Sequence, residues 1–551
     1  MISRSCAILF IIHFCCTNIW AQSTYFNKTH DLEQWDVASA ALQVDDGYMV
    51  LGQAITTQAR MLMLIKLDFT GDTLWSKVFG PPPQVYFTGG GGSFIQTNDG
   101  GYAFCGTVED IADSSIDDMI LVKFDNLGDT LWTKRFGGAN QDIGQDCEQT
   151  ADGGYILIGT TGSFGDPSGD VYLVKTDSLG NLEWDTTYDG IGNLDAGLTV
   201  DVTSDGGYVL GASLSQGGEF IWVIKTNAIG GIEWTKAINV NLNIGCFALQ
   251  SIDGGYIVIA GKDELVGAGR DGYLAKLNST GDSVLWESTY IGSSQNDWFN
   301  QAIELPDGSI VAAGKADNEQ GISSGWLLKV APNGDSLWSR KFSVPDSLSQ
   351  QFWSLRATLD GGFIMSGYAA APTQDTWVVK TNCLGYDTPP QANFTSTSDT
   401  LTVSFINQSQ QAETYLWNFG DGNFSTESNP SHSYQDSSIY VVTLTAAACG
   451  DTSITFNTVQ VSIPVGVQEV YSREGNIQIY PNPTTGLITL TGLSAEPATL
   501  TAYNVLGELV LDQRMTVSNN IVMDLTDLPK GLYYLQILQG ETTLKREVIK
   551  L

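Results

Sequence analysis

A short turn motif recurs along the chain and constrains the fold more than any other feature. The motif is Asp-Gly, usually with a second Gly and then an aromatic or β-branched residue, and its aspartates are Asp46, Asp99, Asp152, Asp205, Asp253, Asp307 and Asp360. Their successive spacings are 53, 53, 53, 48, 54 and 53 residues. A period of this length predicts an array of like structural units.

Each unit has the pattern of four short strands. In the third repeat the strand-like segments are residues 142–150, 155–160, 170–176 and 182–188, separated by Asp-Gly and Gly-Asn turns. Such turns supply the positive φ that hairpins require. Four antiparallel strands in about 50 residues form a propeller blade, so seven repeats predict a seven-bladed β-propeller. The repeats resemble bacterial β-propellers of the kelch-like or quinoprotein-like type, a resemblance that implies architecture and no particular function.

A missing tryptophan predicts how the ring closes. Six repeats end in a strand that carries one, namely Trp75, Trp132, Trp184, Trp234, Trp286 and Trp338. The seventh repeat stops at residues 384–386 without one, and residues 24–28 precede the first strand of the first repeat. We therefore predict that this N-terminal segment completes the seventh blade, which leaves no open sheet edge.

Two further repeated residues are interpreted as architecture. The tryptophans are expected to pack between blades. A lysine follows an aliphatic run in every unit, at Lys66, Lys123, Lys175, Lys225, Lys276, Lys329 and Lys380. We expect these to be surface lysines whose stems cover apolar neighbours, since repetition in every blade favours a structural role.

The N-terminus and the charge indicate an extracellular protein. Arg4 precedes an apolar stretch that ends at Ala21, which is the pattern of a signal peptide over residues 1–21 and is too short to span a bilayer. A lipoprotein signal at Cys15 or Cys16 is the alternative, although His13 and Phe14 suit it poorly. No later transmembrane segment is predicted, and a net charge of −35 argues against a nucleic-acid partner.

Five cysteines follow the signal segment and form no CxxC pair: Cys105, Cys147, Cys246, Cys383 and Cys449. This spacing supports neither a zinc site nor a disulfide framework, and the cysteines are expected to be small buried hydrophobes. Cys105 and Cys147, in neighbouring repeats, are the one pair that could form a disulfide.

The segment after the repeats resembles a PKD domain. It contains Trp-Asn-Phe-Gly-Asp-Gly at 417–422, Asn-Pro-Ser-His-Ser-Tyr at 429–434 and a closing Tyr-Val-Val-Thr-Leu strand at 440–444. The resemblance implies an immunoglobulin-like β-sandwich over residues 388–463. Such domains act as spacers, and in some secreted enzymes they assist contact with polysaccharide or collagen.

The last segment resembles the type A C-terminal sorting domain of the type IX secretion system. Its motifs are Tyr-Pro-Asn-Pro-Thr-Thr-Gly at 480–486, Tyr-Asn-Val-Leu-Gly at 503–507 and Leu-Pro-Lys-Gly-Leu-Tyr at 528–533. The resemblance, over residues 476–551, implies recognition by the type IX secretion machinery, and Gly531, Lys545 and Lys550 belong to the region that is read. It also implies release or surface attachment in a bacterium of the Bacteroidetes type.

No catalytic arrangement is evident. After the signal segment the chain has only His30 and His432, which leaves little material for a catalytic triad or a histidine metal site. Loop carboxylates such as Glu109, Asp110, Asp117 and Asp118 could serve a glycosidase. The residue pairs Asp297-Trp298 and Phe352-Trp353 break the repeat pattern with aromatic side chains and are the candidate ligand face.

We therefore expect an all-β chain: a signal peptide (1–21), a seven-bladed β-propeller (22–387), and two immunoglobulin-like β-sandwich domains (388–463 and 476–551) joined by a linker (464–475). The expected function is that of a secreted or cell-surface protein that binds a polysaccharide or protein, without a cofactor or metal. The alternatives are a carbohydrate-active hydrolase or lyase that uses loop carboxylates, and a structural component of the cell surface.

Overall fold

Each repeat folds as an antiparallel sheet. The computed structural model describes residues 24–31, 35–55, 60–79, 84–89, 93–110, 117–190, 194–215, 219–240, 244–263, 269–293, 295–370, 373–463, 477–493, 496–515, 520–539 and 542–551. Every regular element in these ranges is a β-strand. The predicted signal peptide and linker lie outside the described residues. The chain divides into two compact units, residues 1–462 and 463–551.

The first unit begins with β1 (Phe26–His30) and then follows the repeats. The first three groups are β2 (Trp35–Val44), β3 (Gly47–Ile55), β4 (Arg60–Leu67) and β5 (Thr73–Phe79); β6 (Gln84–Thr88), β7 (Phe94–Gln96), β8 (Tyr102–Asp110), β9 (Asp117–Phe124) and β10 (Thr130–Phe136); and β11 (Asp142–Gln149), β12 (Tyr155–Thr161), β13 (Asp170–Thr176) and β14 (Leu182–Tyr188).

The later repeats follow the same plan. They are β15 (Asp195–Val202), β16 (Tyr208–Ser215), β17 (Glu219–Thr226) and β18 (Ile232–Asn239); β19 (Ile244–Gln250), β20 (Tyr256–Asp263), β21 (Arg270–Leu277) and β22 (Val284–Tyr290); β23 (Asp297–Glu304), β24 (Ile310–Asp317), β25 (Ser323–Val330) and β26 (Ser336–Phe342); and β27 (Ser349–Ala357), β28 (Phe363–Ala370) and β29 (Gln374–Thr381). Within each group, strands adjacent in sequence pair antiparallel, except that β6 and β7 both pair with β8. These repeated sheets fit a β-propeller, and the predicted all-β class is confirmed.

The turn aspartates act as the sequence predicts. Asp152 Oδ1 accepts a hydrogen bond from the Gly154 amide at 2.9 Å, and Gly153 has a φ of 83°. An aspartate that bonds to the amide two residues ahead stabilises a tight turn, and glycine supplies the positive φ. The turn therefore sets the hairpin between the first and second strands of the group.

The N-terminal strand completes the last group, as predicted. β1 pairs antiparallel with β29, and Phe26 stands opposite Lys380. In the second group Trp132 stands opposite Lys123 in the same way. Phe26 therefore occupies the position of the missing seventh tryptophan, and the chain ends of the repeat array are joined by backbone hydrogen bonds.

The repeated aromatic residues pack against the next group, which confirms their structural interpretation. The Trp132 ring lies 6.1 Å from that of Tyr155, centroid to centroid, and a Cβ on Gly180 would approach Trp132 within 2.6 Å. Phe26 makes the equivalent contacts across the closure: its ring is 5.5 Å from Tyr48, and a Cβ on Gly71 would approach it within 2.6 Å. Closure thus uses the same packing as the other junctions.

The repeated lysines correct one expectation. Six of the seven are buried rather than on the surface, with Lys225 1% and Lys380 0% exposed. Each lysine pairs with the turn aspartate of its own group; Lys225 Nζ lies 2.9 Å from Asp205 Oδ2, and the longest of these distances, between Lys329 and Asp307, is 3.9 Å. Each pair links the third strand of a group to the turn between its first two strands, so the two repeated residues form one structural pair.

A sandwich follows the repeats in the same unit. Its strands are β30 (Phe394–Asp399), β31 (Thr402–Asn407), β32 (Thr414–Asn418), β33 (Phe424–Ser425), β34 (Ser431–Ser433), β35 (Ser438–Ala448) and β36 (Asp451–Val461). They form the sheets β30-β31-β34 and β33-β32-β35-β36. Trp417 and Tyr434 are buried in the core between them.

A disulfide joins the sandwich to the last repeat and corrects the cysteine prediction. Cys383 and Cys449 are bonded across a sequence separation of 66 residues. Cys105, Cys147 and Cys246 are free and buried. The candidate pair, Cys105 with Cys147, is therefore not the bonded one, while the burial of the three free cysteines is confirmed.

The second unit is a smaller β-sandwich. Its strands are β37 (Gln478–Tyr480), β38 (Leu487–Thr491), β39 (Ala498–Tyr503), β40 (Leu509–Met515), β41 (Asn520–Asp524), β42 (Gly531–Gln539) and β43 (Thr542–Lys550). They pair as β37-β38-β41 and β40-β39-β42-β43. Ile488, Leu490, Leu500, Leu535 and Val548 belong to the core between the sheets.

Candidate functional site

The tryptophans separate into repeated or buried residues and a small remainder. The chain has 14, of which Trp20 lies outside the described residues and six form the outer-strand series. Trp222, Trp326, Trp377 and Trp417 are buried. The remainder are Trp35, Trp298 and Trp353, which we call the tryptophan face. No tryptophan occupies the equivalent positions of the other repeats. Because a binding site in a repeated fold uses residues that differ between the repeats, these three are candidates for ligand binding.

The tryptophan face lies on the first strands of three successive groups. Trp298 is on β23 of the sixth group, Trp353 is on β27 of the seventh, and Trp35 begins β2 of the first. The seventh and first groups are neighbours because Trp35 pairs with Gln374 of β29. Trp35 is 53% exposed, and Trp298 and Trp353 are half-buried. The three rings therefore belong to one sector of the propeller.

Two cations flank one of these rings. Lys315 Nζ lies 4.2 Å from the centroid of the Trp298 ring, and the Arg270 guanidinium carbon lies 5.9 Å from it. The chain has 26 basic residues against 61 acidic ones, so two cations beside one half-buried ring are unusual in this molecule. An aromatic face with adjacent cations suits a ligand that has flat apolar surfaces and negative groups.

The predicted ligand-face residues divide into two kinds. Asp297 is buried and accepts hydrogen bonds from the Ser293 hydroxyl at 2.7 Å and the Asp317 amide at 3.1 Å. Phe352 is buried and stacks on Trp377, with ring centroids 4.4 Å apart. These two side chains support the strands, whereas Trp298 and Trp353 present partly exposed rings. Trp35 was not predicted.

Three charged residues interrupt an apolar series on the first strands. The residue four positions before the turn aspartate is Leu42, Ile95, Leu249 or Ile303 in four groups, but Glu148, Asp201 and Arg356 in the third, fourth and seventh. First strands of propeller blades lie around the central channel. Sequence reasoning missed this set, although aligning the seven repeats would have revealed it.

These charges are strongly perturbed. The pKa of Glu148 is raised to about 8, mainly by burial and also by the nearby Asp146 carboxylate, while Arg356 opposes the shift. Burial also raises the pKa of Asp146 to about 7 and that of Asp201 to about 6. Carboxyl groups that keep a proton near neutral pH can serve as general acids.

Hydrogen bonds assign a structural role to two of the carboxylates. Asp146 accepts the Val200 amide of the next group at 3.1 Å, and Asp201 accepts the Gln250 amide of the group after that at 2.8 Å. Both therefore link neighbouring groups. In the described part of the chain Glu148 accepts no such backbone hydrogen bond, so it is the carboxylate of this set that is available for chemistry.

The loop carboxylates are placed differently from the prediction. Glu109 and Asp110 end β8, while Asp117 and Asp118 begin β9, so all four are in paired strands rather than in a loop. Asp118 lies 3.4 Å from Arg135 and Asp117 accepts a hydrogen bond from Gln141. These contacts give Asp117 and Asp118 structural roles.

An open groove of about 350 Å³ lies between the second and third groups. Phe164 and Tyr172 line it together with Arg135. The Tyr172 hydroxyl donates to Asp185 at 2.7 Å, which leaves the groove with few unpaired polar groups. We therefore place the candidate site at the tryptophan face.

The three predicted sorting residues lie on the last two strands. Gly531 begins β42 and pairs with Lys550 of β43. Lys550 is buried, and its ammonium group donates to the carbonyls of Thr526 and Leu528, whereas Lys545 is exposed. Lys550 thus has a role within the fold, and Lys545 is the residue of the pair that a partner can reach.

Comparisons with known proteins identify the two C-terminal modules. Residues 387–463 match the PKD domain model, and residues 478–551 match the secretion system C-terminal sorting domain model. The first PKD domain of Epp from Vibrio anguillarum is 40% identical over 14% of this chain and 98% of its own length, with a TM-score of 0.14. Both predicted resemblances are confirmed.

Two further solved structures cover a larger share of the chain at low sequence identity. An ulvan lyase of polysaccharide lyase family PL25 is 8% identical over 66% of this chain and 97% of its own, with a TM-score of 0.47. The WD40 domain of coronin from Toxoplasma gondii is 8% identical over 65% and 86%, with a TM-score of 0.41. No curated protein sequence matches the chain. Among the described residues, none lies in a helix long and apolar enough to cross a membrane.

Proposed function

We propose that this chain is an extracellular binding protein whose propeller binds a polysaccharide on the tryptophan face. The chain carries a PKD domain followed by a type IX sorting domain, which marks it for secretion or display on the cell surface. The observation that carries this proposal is the grouping of Trp35, Trp298 and Trp353 on three successive blades. They are the described tryptophans that are neither buried nor part of the repeated packing.

The chemistry of the face favours a saccharide with acidic groups. Indole rings stack on the apolar faces of sugar rings. Beside Trp298, Lys315 lies 2.9 Å from Asp317 and Arg270 lies 3.8 Å from Asp263, and a carboxylate or sulfate group of the ligand would share or replace these partners. A protein ligand is the other partner class that the sequence predicts, and it becomes an outcome of the test.

The test is retention on a panel of neutral and acidic polysaccharides, with new reducing ends measured in the same tubes. The secreted protein should be retained by an acidic polysaccharide. Trp298→Ala and Trp353→Ala should each weaken retention by tenfold or more. Phe424→Ala is the matched control because Phe424 is 59% exposed but lies in the PKD domain. Equal retention of the face variants and the control would refute the proposed site.

A carbohydrate-active hydrolase or lyase is the second candidate function. The observation that favours it is Glu148, whose pKa is raised to about 8 by burial, next to Asp146 and Arg356. New reducing ends that disappear in Glu148→Gln would support this candidate, since glutamine cannot donate a proton. The absence of both retention and new ends would favour a protein partner or a structural role at the cell surface.

The export part of the proposal has its own test. Deleting residues 476–551 should retain the protein in the periplasm, measured by cell fractionation and protease shaving of intact cells. Lys545→Ala, at an exposed position of the sorting domain, tests whether the predicted residue is read. Normal delivery of the deletion variant would contradict the sorting role.

A further inference from the structure

Three carboxylates meet at the junction between the third and fourth blades. Asp170 begins β13, Asp189 directly follows β14, and Asp195 begins β15. One carboxylate oxygen from each lies within 4.8 Å of the other two. Asp170 and Asp195 are each only 1% exposed, while Asp189 is exposed. The cluster is thus open to solvent on one side and closed on the others.

One carboxylate oxygen of Asp195 is buried without a hydrogen bond. Asp195 Oδ2 accepts the Gly190 amide at 2.6 Å, but Asp195 Oδ1 is buried and has no hydrogen-bond partner. The Ser215 amide is near enough to lower the Asp195 pKa, but it donates its hydrogen bond to the Leu194 carbonyl at 3.3 Å. A buried carboxylate oxygen that lacks a donor is costly, so the site has an unmet need for a positively charged partner.

The equivalent aspartate of the preceding repeat does not have this need. Asp142 accepts hydrogen bonds from the hydroxyls of Thr161 and Ser163. Thr161 stands opposite Asp142 in the sheet, and the residue opposite Asp195 is Leu214. The fourth repeat has therefore lost the hydroxyl donor at the position where two additional carboxylates gather.

Basic and amide side chains compensate at the neighbouring junction but not at this one. Between the second and third blades Arg135 lies 3.4 Å from Asp118, and Gln141 donates to Asp117 at 2.6 Å. Among the described residues no Lys, Arg or His side chain pairs with Asp170, Asp189 or Asp195. Burial raises the pKa of Asp195, and its two carboxylate neighbours raise it further.

We propose that Asp170, Asp189 and Asp195 bind a divalent cation, Ca²⁺, which fastens the third blade to the fourth. Calcium takes oxygen ligands at about 2.3–2.6 Å, so two ligands of one ion lie at most about 5 Å apart. The oxygens of the cluster meet that condition. The cation supplies positive charge beside the buried Asp195 carboxylate, and the exposed Asp189 leaves room for water ligands.

The test is calcium binding by the full secreted chain after removal of metals with a chelator, measured by titration calorimetry and by the thermal midpoint. The wild type should bind one Ca²⁺ saturably, and its midpoint should rise with calcium. Asp189→Asn should weaken binding at least tenfold and abolish that rise; its side chain is exposed, so folding is preserved. Asp45→Asn, the same charge change in an exposed turn of the first blade, should alter neither.

A second variant separates metal binding from general acidity. Leu214→Thr places a hydroxyl opposite Asp195, as Thr161 stands opposite Asp142, and should raise the midpoint of the calcium-free protein while reducing the calcium effect. Absence of saturable binding in the wild type, or equal affinity in Asp189→Asn and Asp45→Asn, would overturn the proposal.

Discussion

Lys380 is fully buried, and its Nζ lies 2.8 Å from the Asp360 carboxylate, which is itself only 17% exposed. The first repeat contains the same pair, but there Asp46 is 78% exposed while Lys66 is buried. One repeated interaction is thus shielded from water in the last blade and partly hydrated in the first. The two pairs allow a matched comparison of how burial changes the contribution of an ion pair to the stability of the fold.

Asp360→Asn should destabilise the propeller more than Asp46→Asn. Removing Asp360 leaves a buried ammonium group without its counter-charge, at a cost of about 3–5 kcal/mol. Water can replace the exposed Asp46 carboxylate, so that loss should be about 1 kcal/mol or less. Urea midpoints of the two variants measure the difference. Equal losses would mean that burial of the aspartate does not matter.

Phe26 should be replaceable by tryptophan but not by alanine. Phe26 stands where six other blades have tryptophan, and it is 5% exposed. Phe26→Ala should lower stability by about 3–5 kcal/mol, since a buried ring is lost. Phe26→Trp should retain most of the stability, because the other junctions accommodate the larger ring. Thermal midpoints and proteolysis of the N-terminal strand test both variants, and a stable Phe26→Ala protein would contradict the closure role.

Acid should weaken the propeller through its turn aspartates. Burial raises the pKa of Asp205, but hydrogen bonds from Thr203, Lys225 and the Gly207 amide outweigh it and hold the pKa at about 2. A carboxyl group with a lowered pKa contributes stability above its unfolded value of about 4 and loses it as the pH falls towards 2. The thermal midpoint should therefore drop between pH 4 and pH 2, and less steeply in Asp205→Asn.

Glu148 should make the propeller less stable as the pH rises, which is the opposite of the effect of the turn aspartates. The pKa of Glu148 is raised to about 8. A carboxyl group with a raised pKa contributes stability that is fully present below about 4.3 and is lost as the pH rises through 8. The midpoint should thus fall between pH 5 and pH 8.5 in the wild type, and Glu148→Gln should flatten this limb. An unchanged slope in the variant would assign the effect to other groups.

Removing the disulfide should loosen the last blade and the PKD domain. In the chain-entropy model, closing a loop of 66 residues restricts the unfolded chain by about 4 kcal/mol. Cys383→Ser with Cys449→Ser should therefore lower the midpoint of this unit, as measured by calorimetry. Thiol counting on the unfolded wild-type protein should find Cys105, Cys147 and Cys246 free. A different bonded pair would contradict the assignment.

Local features of the fold were predictable because turns and strand alternation are encoded over a few residues. The strands of the third group, Asp142–Gln149, Tyr155–Thr161, Asp170–Thr176 and Leu182–Tyr188, differ from the predicted segments by one residue at two ends. Closure by Phe26 was also predictable, because the seventh repeat visibly lacks its last strand. Both inferences depend on comparing repeats within one sequence.

Contacts between distant segments were not predictable in the same way. The pairing of Lys225 with Asp205 brings together strands of one blade, and its burial depends on packing that no local pattern reveals. The partner of Cys383 lies in another module. Trp35 is recognised as a candidate only after the repeated and buried tryptophans are excluded, and the structure is needed to show which tryptophans are buried. The carboxylate Glu148 was accessible from repeat alignment alone.

The closure strand has a consequence for the order of events in export. Trp377 donates a hydrogen bond to Asn27 at 2.7 Å, although 350 positions separate the two residues. A chain that leaves the ribosome from its N-terminus presents this strand first, and its pairing partner follows only after nearly the whole repeat array. The ring can therefore close only once its last blade has emerged. An incomplete chain therefore remains an open array of blades, and it differs physically from the finished protein, in which the ring is closed.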